Sequence, residues 1–331
     1  MDKYVPPFTI SNRMLELVGS IMEKVGKLDN FSNLNKMPVL RRNNRIHSIH
    51  SSLAIEANSL SFNQVKDVIN GKLVLGNQKE IQEVKNAYKA YEMMKEANPY
   101  SIKDLLKIHG VMTFLTVEES GVFRKGEEGV FDENGNCIFV CPKGDRVNIL
   151  MNDLFEWLNE NKDTIHPLIL SSIFHYEFVF IHPFTNGNGR MVRLWQNSIL
   201  YQWKNIFEYL PIESKIHKYQ DEYYNSIAQC HKNANSNVFI EFMLKMIDET
   251  LDEAISTSHL PITNETININ KLLDVMETGK PMTANEIMEK LEIKSKETLR
   301  GRYLDPAIKQ GLVNLTIPDK PTSKNQMYYK N

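Results

Sequence analysis

The chain has 331 residues, 42% of them hydrophobic and 24% charged, with a formal net charge of −2 at pH 7. That length exceeds one ordinary compact core, so two or three domains are expected, and the near-neutral charge excludes a protein dominated by nucleic-acid electrostatics. Its three cysteines, Cys137, Cys141 and Cys230, make no disulfide framework, and the Cys137–Cys141 pair lacks the second Cys or His pair of a zinc finger.

In chain order, "MDKYVPPFTI" has no apolar signal core. Residues 11–28 place Met14, Leu17, Val18 and Ile21 at helical intervals, and a second helix is predicted from Pro38, a good first-turn residue, to about Ala57. Ser61 with Gln64 is a capping box for a short helix ending near Gly71; residues 78–97 form another helix, and Ser101 with Asp104 caps the next. Between Gly121 and Pro142 the period changes, with two β-rich runs around Asn134–Gly135, a two-residue hairpin signal. Helical spacing returns at Val147, Leu150, Met151, Leu154, Trp157 and Leu158.

Leu168–Phe180 is apolar nearly all round, which predicts a helix buried inside a bundle. The run to Ile181 is shorter than the ~20 residues a membrane crossing needs, so a cytoplasmic protein without membrane contact is expected. Bundle helices follow at 188–203 and about 236–256. Beyond a polar linker, Ile269, Leu272, Leu273 and Met276 form one helical stripe, Thr283 with Glu286 caps a second helix, and "SKETLRGRYL" starts a third that Pro306 kinks or ends. The last stretch reads as two strands around a loop, completing the outline of a winged helix. The expected fold is mainly α. Its divisions are a helical region at 1–100, a core at 101–256, a linker at 257–266 and a winged helix-turn-helix domain at 267–331.

"HPFTNGNGRMVR", residues 182–193, carries the chemistry. Gly187 and Gly189 allow backbone N–H groups to approach a ligand, and a helix starting near Asn188 adds unpaired N–H groups and a positive dipole end. Together they suit a phosphate. Arg190 and Arg193 share a helix face and can fork onto further phosphate oxygens, while His182 beside the cradle can accept a proton near neutral pH. The chemistry implied is attack by a hydroxyl on a phosphorus held in the cradle. Against it stands the plain reading of a glycine turn, solvated arginines and a capping histidine; so many special residue types in twelve positions favour function.

These residues resemble the Fic family signature, and His182, Phe184, Gly187, Asn188, Gly189, Arg190 and Arg193 all match it. The resemblance extends over nearly the whole chain, including the Arg-x-x-Tyr-Leu segment at 300–304 and the "TIPDKP" tail. It implies a Fic-type helical bundle with a β-hairpin flap that transfers AMP from ATP to a Ser, Thr or Tyr hydroxyl of a protein, releasing pyrophosphate. In it His182 is the general base, Phe184 anchors the loop, and Asn188, Arg190, Arg193 and the loop amides hold phosphates. Mg2+ bridges the α- and β-phosphates. One position departs: Asn186 stands where the family usually has Asp or Glu to hold the metal. An amide oxygen brings no negative charge, so weaker metal use than in an Asn186→Asp variant is expected.

"SSLAIEAN" (51–58) resembles the family's inhibitory motif, with Ser52 and Glu56 matching and Ala57 where glycine is frequent. The resemblance makes 38–58 an inhibitory helix from which Glu56 would pair with Arg193 and misalign ATP; a solvated surface pair is the plain alternative. The 121–140 hairpin resembles the flap, which would align an extended target segment by main-chain pairing. Tyr223–Tyr224 falls where the family places a nucleotide-side tyrosine, with Tyr224 taken as the contact. His175 reads as a core histidine, and His47 and His50 have no assigned role.

In the C-terminal unit Lys294, Lys296, Arg300, Arg302, Lys320 and Lys324 cluster as in winged helices that meet DNA, yet residues 260–331 hold 11 basic against 9 acidic side chains, a net of +2. DNA and protein docking both stay open for this unit. Self-modification and a homodimer are carried by family likeness alone. Beside the autoinhibited adenylyltransferase stand two alternatives: a nucleotide-sensing DNA-binding regulator with weak or no transfer, and a Fic enzyme that removes AMP.

Overall fold

The structure, a computed structural model, describes residues 4–30, 38–131, 135, 137–258 and 263–330. Asn134 of the expected turn and residues 259–262 of the expected linker lie outside the described residues. The chain divides into two compact units, Met1–Gly26 with Arg45–Ala254, and Lys27–Asn44 with Ile255–Asn331. Among the described residues no helix is long and apolar enough to cross a membrane.

The N-terminal half contributes α1 (Asn12–Asn30), α2 (Pro38–Ile55), α3 (Phe62–Ile69), α4 (Gln78–Met93) and α5 (Ile102–Met112). Local chemistry fixes their starts. Ser61 and Gln64 close both hydrogen bonds of a capping box ahead of α3, and the Ser101 side chain accepts from Asp104 N at the head of α5. Strands β1 (Gly129–Phe131) and β2 (Cys137–Val140) pair antiparallel, with Val130 opposite Phe139, and Gly135 between them has the positive φ of 80° such a turn demands.

Helix α6 (Gly144–Asn161) leads to α7 (Pro167–Ile181), which starts with proline in its first turn and is buried over almost its whole length. A helix with no polar face must lie inside others, and α8 (Asn188–Trp203) packs directly against it. The few polar groups of α7 are satisfied from within. Ser171 and Ser172 donate to Leu168 O, and His175 bonds Gln196 and Tyr223 Oη. Burial holds the His175 imidazole down to about 3, so it is a neutral core histidine. Helices α9 (Ile212–Lys218), α10 (Gln220–Asn233) and α11 (Asn237–Ser258) complete this part of the chain.

In the C-terminal unit α12 (Asn264–Val275) buries Ile269, Leu272 and Leu273 in one core with Met276, Ile287, Leu299, Leu304, Ala307 and Val313. A two-residue strand, β3 (Met282–Thr283), precedes α13 (Ala284–Lys290), whose Thr283–Glu286 capping box forms as expected. The expected third helix is α14 (Lys296–Leu299), a π-helical turn over Arg300–Leu304, then α15 (Asp305–Lys309) with Pro306 in its first turn. Proline lacks a donor, so the helix widens and restarts where a regular one would break. Strands β4 (Val313–Leu315) and β5 (Met327–Lys330) form the hairpin, and β3 adds to it in the order β3-β5-β4. The sequence does not announce β3, because two residues ahead of a capping box carry no alternation.

Glu177, 2% exposed on α7, accepts a hydrogen bond from the Tyr4 hydroxyl. Burial pushes its carboxyl up to about 7, against the Tyr4 bond that pulls it down. An acid with a higher pKa folded than unfolded gains a proton on folding, so stability is full below about 4.5 and declines as pH rises towards about 7. Glu177→Gln keeps the shape and the acceptor without the charge. It is expected to stabilise the chain by up to about 3 kcal/mol at pH 8 and to flatten this slope, read from urea melts at pH 5, 7 and 8.

Candidate active site

Where α7 ends, His182 turns the chain through a left-handed conformation, φ 51°, and its N–H closes on Phe178 O at 2.9 Å. Phe184 is fully buried and stacks on the His109 ring at 3.6 Å between centroids. The Asn188 side chain bridges the turn, its Oδ1 accepting from Phe184 N at 2.9 Å and its Nδ2 donating to Phe184 O at 2.7 Å. Both ends of that amide hold the loop, so what Asn188 offers a phosphate is its backbone N–H. Gly187 caps α8 at φ 83°, with no side-chain hydrogen bond to the first turn. The leading amides of α8 therefore face outward without intrahelical partners, at the positive end of a sixteen-residue helix.

Two distant residues hold this loop. His109 of α5 accepts from Gly121 N through Nδ1 at 2.9 Å, so its Nε2 donates to Asn186 O at 3.0 Å. Burial lowers its pKa to about 4, with the Arg190 charge adding and the Asn186 carbonyl opposing, which keeps the ring neutral for both bonds. Arg124, 1% exposed, donates to the carbonyls of His182 (2.7 Å), Gly126 (2.7 Å), Pro142 (2.7 Å) and Ile181 (3.2 Å), and Arg124 N reaches Pro183 O at 2.9 Å. One guanidinium thus joins the base of the hairpin to the His182 turn. Neither residue is marked in the sequence: His109 looks like one more member of an amphipathic stripe, and Arg124 like an ordinary loop arginine.

The end of α2 meets the same loop. Asn58 N bonds Leu53 O at 3.1 Å and Ala57 N bonds Ala54 O at 3.0 Å, with Ala57 left-handed at φ 62°. This is a Schellman turn with alanine in the position that glycine usually takes. The helix therefore stops at Ile55, two residues before the expected end, and Glu56 leaves from the turn. Its Oε1 lies 2.9 Å from Arg193 Nη2, while Arg193 also donates to Ser52 Oγ (3.1 Å) and Ser52 O (2.8 Å). A Cβ on Gly189 would stand 2.1 Å from Glu56 Oε1, so the carboxylate rests directly on the first turn of α8 and only glycine permits it. Burial disfavours charge on Arg193, but Glu56 more than offsets this and its pKa is raised.

Arg190 is buried too. Its Nη2 donates to Asn186 Oδ1 at 2.6 Å, and its Nη1 lies 3.4 Å from Glu83 of α4, a partner the sequence did not point to. The structure thus brings together His182, Asn186, Gly187, Asn188, Gly189, Arg190, Arg193, Ser52 and Glu56. Of the tyrosine pair, Tyr223 is core, whereas Tyr224 is 47% exposed and feels Glu56 and Arg193. The His182 imidazole is held below its ordinary value by burial and by the Arg124 charge, against the Val179 carbonyl and Glu56, and so is neutral at pH 7.

A protein-held magnesium does not fit these residues. Asn186 brings no charge, its oxygen is turned to a guanidinium, and among the described residues no group of three or more His, Cys, Asp or Glu is arranged around a metal position.

Arg124→Ala would orphan four carbonyls. It is expected to lower the unfolding free energy by roughly 3 kcal/mol or more, measured by urea melts, with Lys unable to replace the fork.

A profile of the Fic/DOC family matches residues 99–200, and one described as Filamentation induced by cAMP protein Fic-like, C-terminal domain, matches 268–329. A protein adenylyltransferase Fic from Nematostella vectensis is 26% identical over 264 residues, 76% of this chain and 58% of that protein. One from Culex quinquefasciatus is 30% identical over 220 residues, 62% of this chain and 41% of that protein. The chain spans about half the length of the curated relatives it matches. Among solved structures, Fic-1 from C. elegans shares the fold at a TM-score of 0.59, with 24% identity over 74% of this chain and 72% of that one. A Fic family protein from Desulfovibrio desulfuricans superposes with a TM-score of 0.75 and 40% identity, over 99% of this chain and 98% of the other. From motif, loop geometry and end-to-end similarity together, this chain belongs to the Fic family.

Proposed function

We propose that this protein is a protein adenylyltransferase restrained by its own Glu56. The observation that carries the reading is the seat of the Glu56 carboxylate, an anion resting on the open first turn of α8 and bridged to Arg193. A group held there by a helix N-terminus and a guanidinium stands where a nucleotide phosphate would be held. The relatives named protein adenylyltransferase supply the choice of ATP and of a protein acceptor.

In this reading the amides of Asn188, Gly189 and Arg190, with Arg190 and Arg193, hold the phosphates, and Tyr224 borders the nucleotide. A Ser, Thr or Tyr hydroxyl oxygen of the target attacks the α-phosphorus, the bond to the oxygen bridging the α- and β-phosphorus breaks, and pyrophosphate leaves. His182 takes the hydroxyl proton. Its lowered pKa keeps it unprotonated at neutral pH, and the Arg124 bond to its carbonyl fixes the turn from which the ring projects. The edge of β1–β2 is a platform for an extended target segment, with Ile138 and Val140 largely exposed. Mg2+ arrives on ATP as part of the substrate and neutralises phosphate charge. The reading requires neither DNA contact nor a homodimer.

Glu56 opposes all of this by occupying Arg193. Glu56→Gly is expected to raise incorporation from α-labelled ATP into protein at least about tenfold, with nothing from γ-labelled ATP, and His182→Ala in that background to abolish it. Equal labelling of wild type and Glu56→Gly would remove the restraint. The pH profile of Glu56→Gly should hold its rate down to below about 6.5 before the acid limb, because a base with a lowered pKa protonates only at lower pH. Asn186→Asp in the same background should tighten the dependence on magnesium and speed transfer; identical rates across a magnesium titration would refute the role given to position 186.

A further inference from the structure

Glu83 lies outside the loop, the inhibitory motif and the proposed chemistry, yet it touches both halves of the restraint. Its Oε2 accepts from Asn58 Nδ2 at 2.9 Å, in the Schellman turn that carries Glu56, and its Oε1 faces Arg190 Nη1 at 3.4 Å. Asn58 also donates to Glu80 O at 3.3 Å, and Ser59 bonds the Glu80 carboxylate through Oγ at 2.8 Å and N at 3.2 Å. The segment after α2 is thus fastened along α4. The contact is sheltered: the side chains of Arg190 and Glu83 are 4% and 15% exposed. On the far side Arg190 Nη2 donates to Asn186 Oδ1, whereas Nε and Nη1 make no hydrogen bond and Nη1 meets Glu83 as an ion pair alone.

We propose that Glu83 is a positioning residue that couples the two arginines, so that one segment restrains both: Glu56 holds Arg193 directly, and Asn58 holds Arg190 through Glu83. While the turn after α2 is seated, Asn58 fixes the carboxylate, and the carboxylate draws the Arg190 fork towards α4. When the turn leaves, Glu83 loses its neutral partner and turns towards water, which frees Arg190 to swing onto a phosphate. Release of Glu56 and re-aiming of Arg190 are then one event. This inference rests on the adenylyltransferase reading for its rate assay but not for its binding assay.

The test compares the full chain with Asn58→Ala, Glu83→Gln and the double variant, all with Glu56 in place. Equilibrium binding of ATP and of adenosine is measured beside α-labelled incorporation. Each single variant is expected to tighten ATP and raise labelling about fivefold while leaving adenosine affinity unchanged, since only phosphates meet Arg190. The double variant is expected to exceed neither single, because the two side chains act through each other. Singles that match the wild type in ATP affinity, effects that multiply in the double, or equal gains for adenosine would overturn the coupling. Should Glu83→Gln not fold, Asn58→Asp sets a like charge against Glu83 from the other side and is expected to give the same gains. Labelling that is absent even in Glu56→Gly sinks the transferase reading alone, whereas a labelling Glu56→Gly beside inert Glu83→Gln sinks only this one.

Discussion

The first turn of α8 is a helix start without a side-chain cap, and the neighbourhood is built around that fact. An open N-terminus presents several unpaired N–H groups and about half a positive charge, and two buried guanidiniums add to the same field. Such a concentration of donors calls for an anion. Glu56, 133 positions upstream of Gly189, is that anion, and its carboxylate lies so close to the glycine that any side chain there would displace it. The shape of the α2 terminus, the glycine and the salt bridge to Arg193 all answer one electrostatic demand.

Rigidity is supplied separately from charge. The loop between α7 and α8 is fixed through its backbone: Asn188 grips Phe184 N and O, His109 grips Asn186 O, and Arg124 grips Ile181 O and His182 O. A left-handed histidine at the end of a helix is uncommon and persists only when its surroundings determine it, which Arg124 and the Phe178 carbonyl do together. The His182 turn is thus anchored through its main chain.

The sequence made the cradle legible because a histidine, two glycines and two arginines at fixed spacing have few other uses. Ser52 and Glu56 were singled out by the resemblance to the family's inhibitory motif, since a serine and a glutamate four apart on a helix are otherwise commonplace. The helix α7 was legible as buried because it lacks a polar face. What stayed hidden are residues whose role comes from long-range packing. Glu83, His109 and Arg124 sit 107, 81 and 66 positions before Arg190 in the chain, each in a locally ordinary stretch, and nothing short of the fold brings them to the loop. The same holds for the end of α2, where a helix boundary depended on a left-handed alanine, and for β3, too short to show a period.

That alanine has a mechanical consequence. Ala57 sits at φ 62°, where a side chain costs about 1 kcal/mol more than glycine, and its strain is held by the two bonds back to Leu53 and Ala54 and by the fastening of Asn58 and Ser59 to α4. The hook that carries Glu56 is therefore a cocked spring rather than a relaxed hinge. In the restrained state proposed above, its own backbone would supply part of the work of letting go.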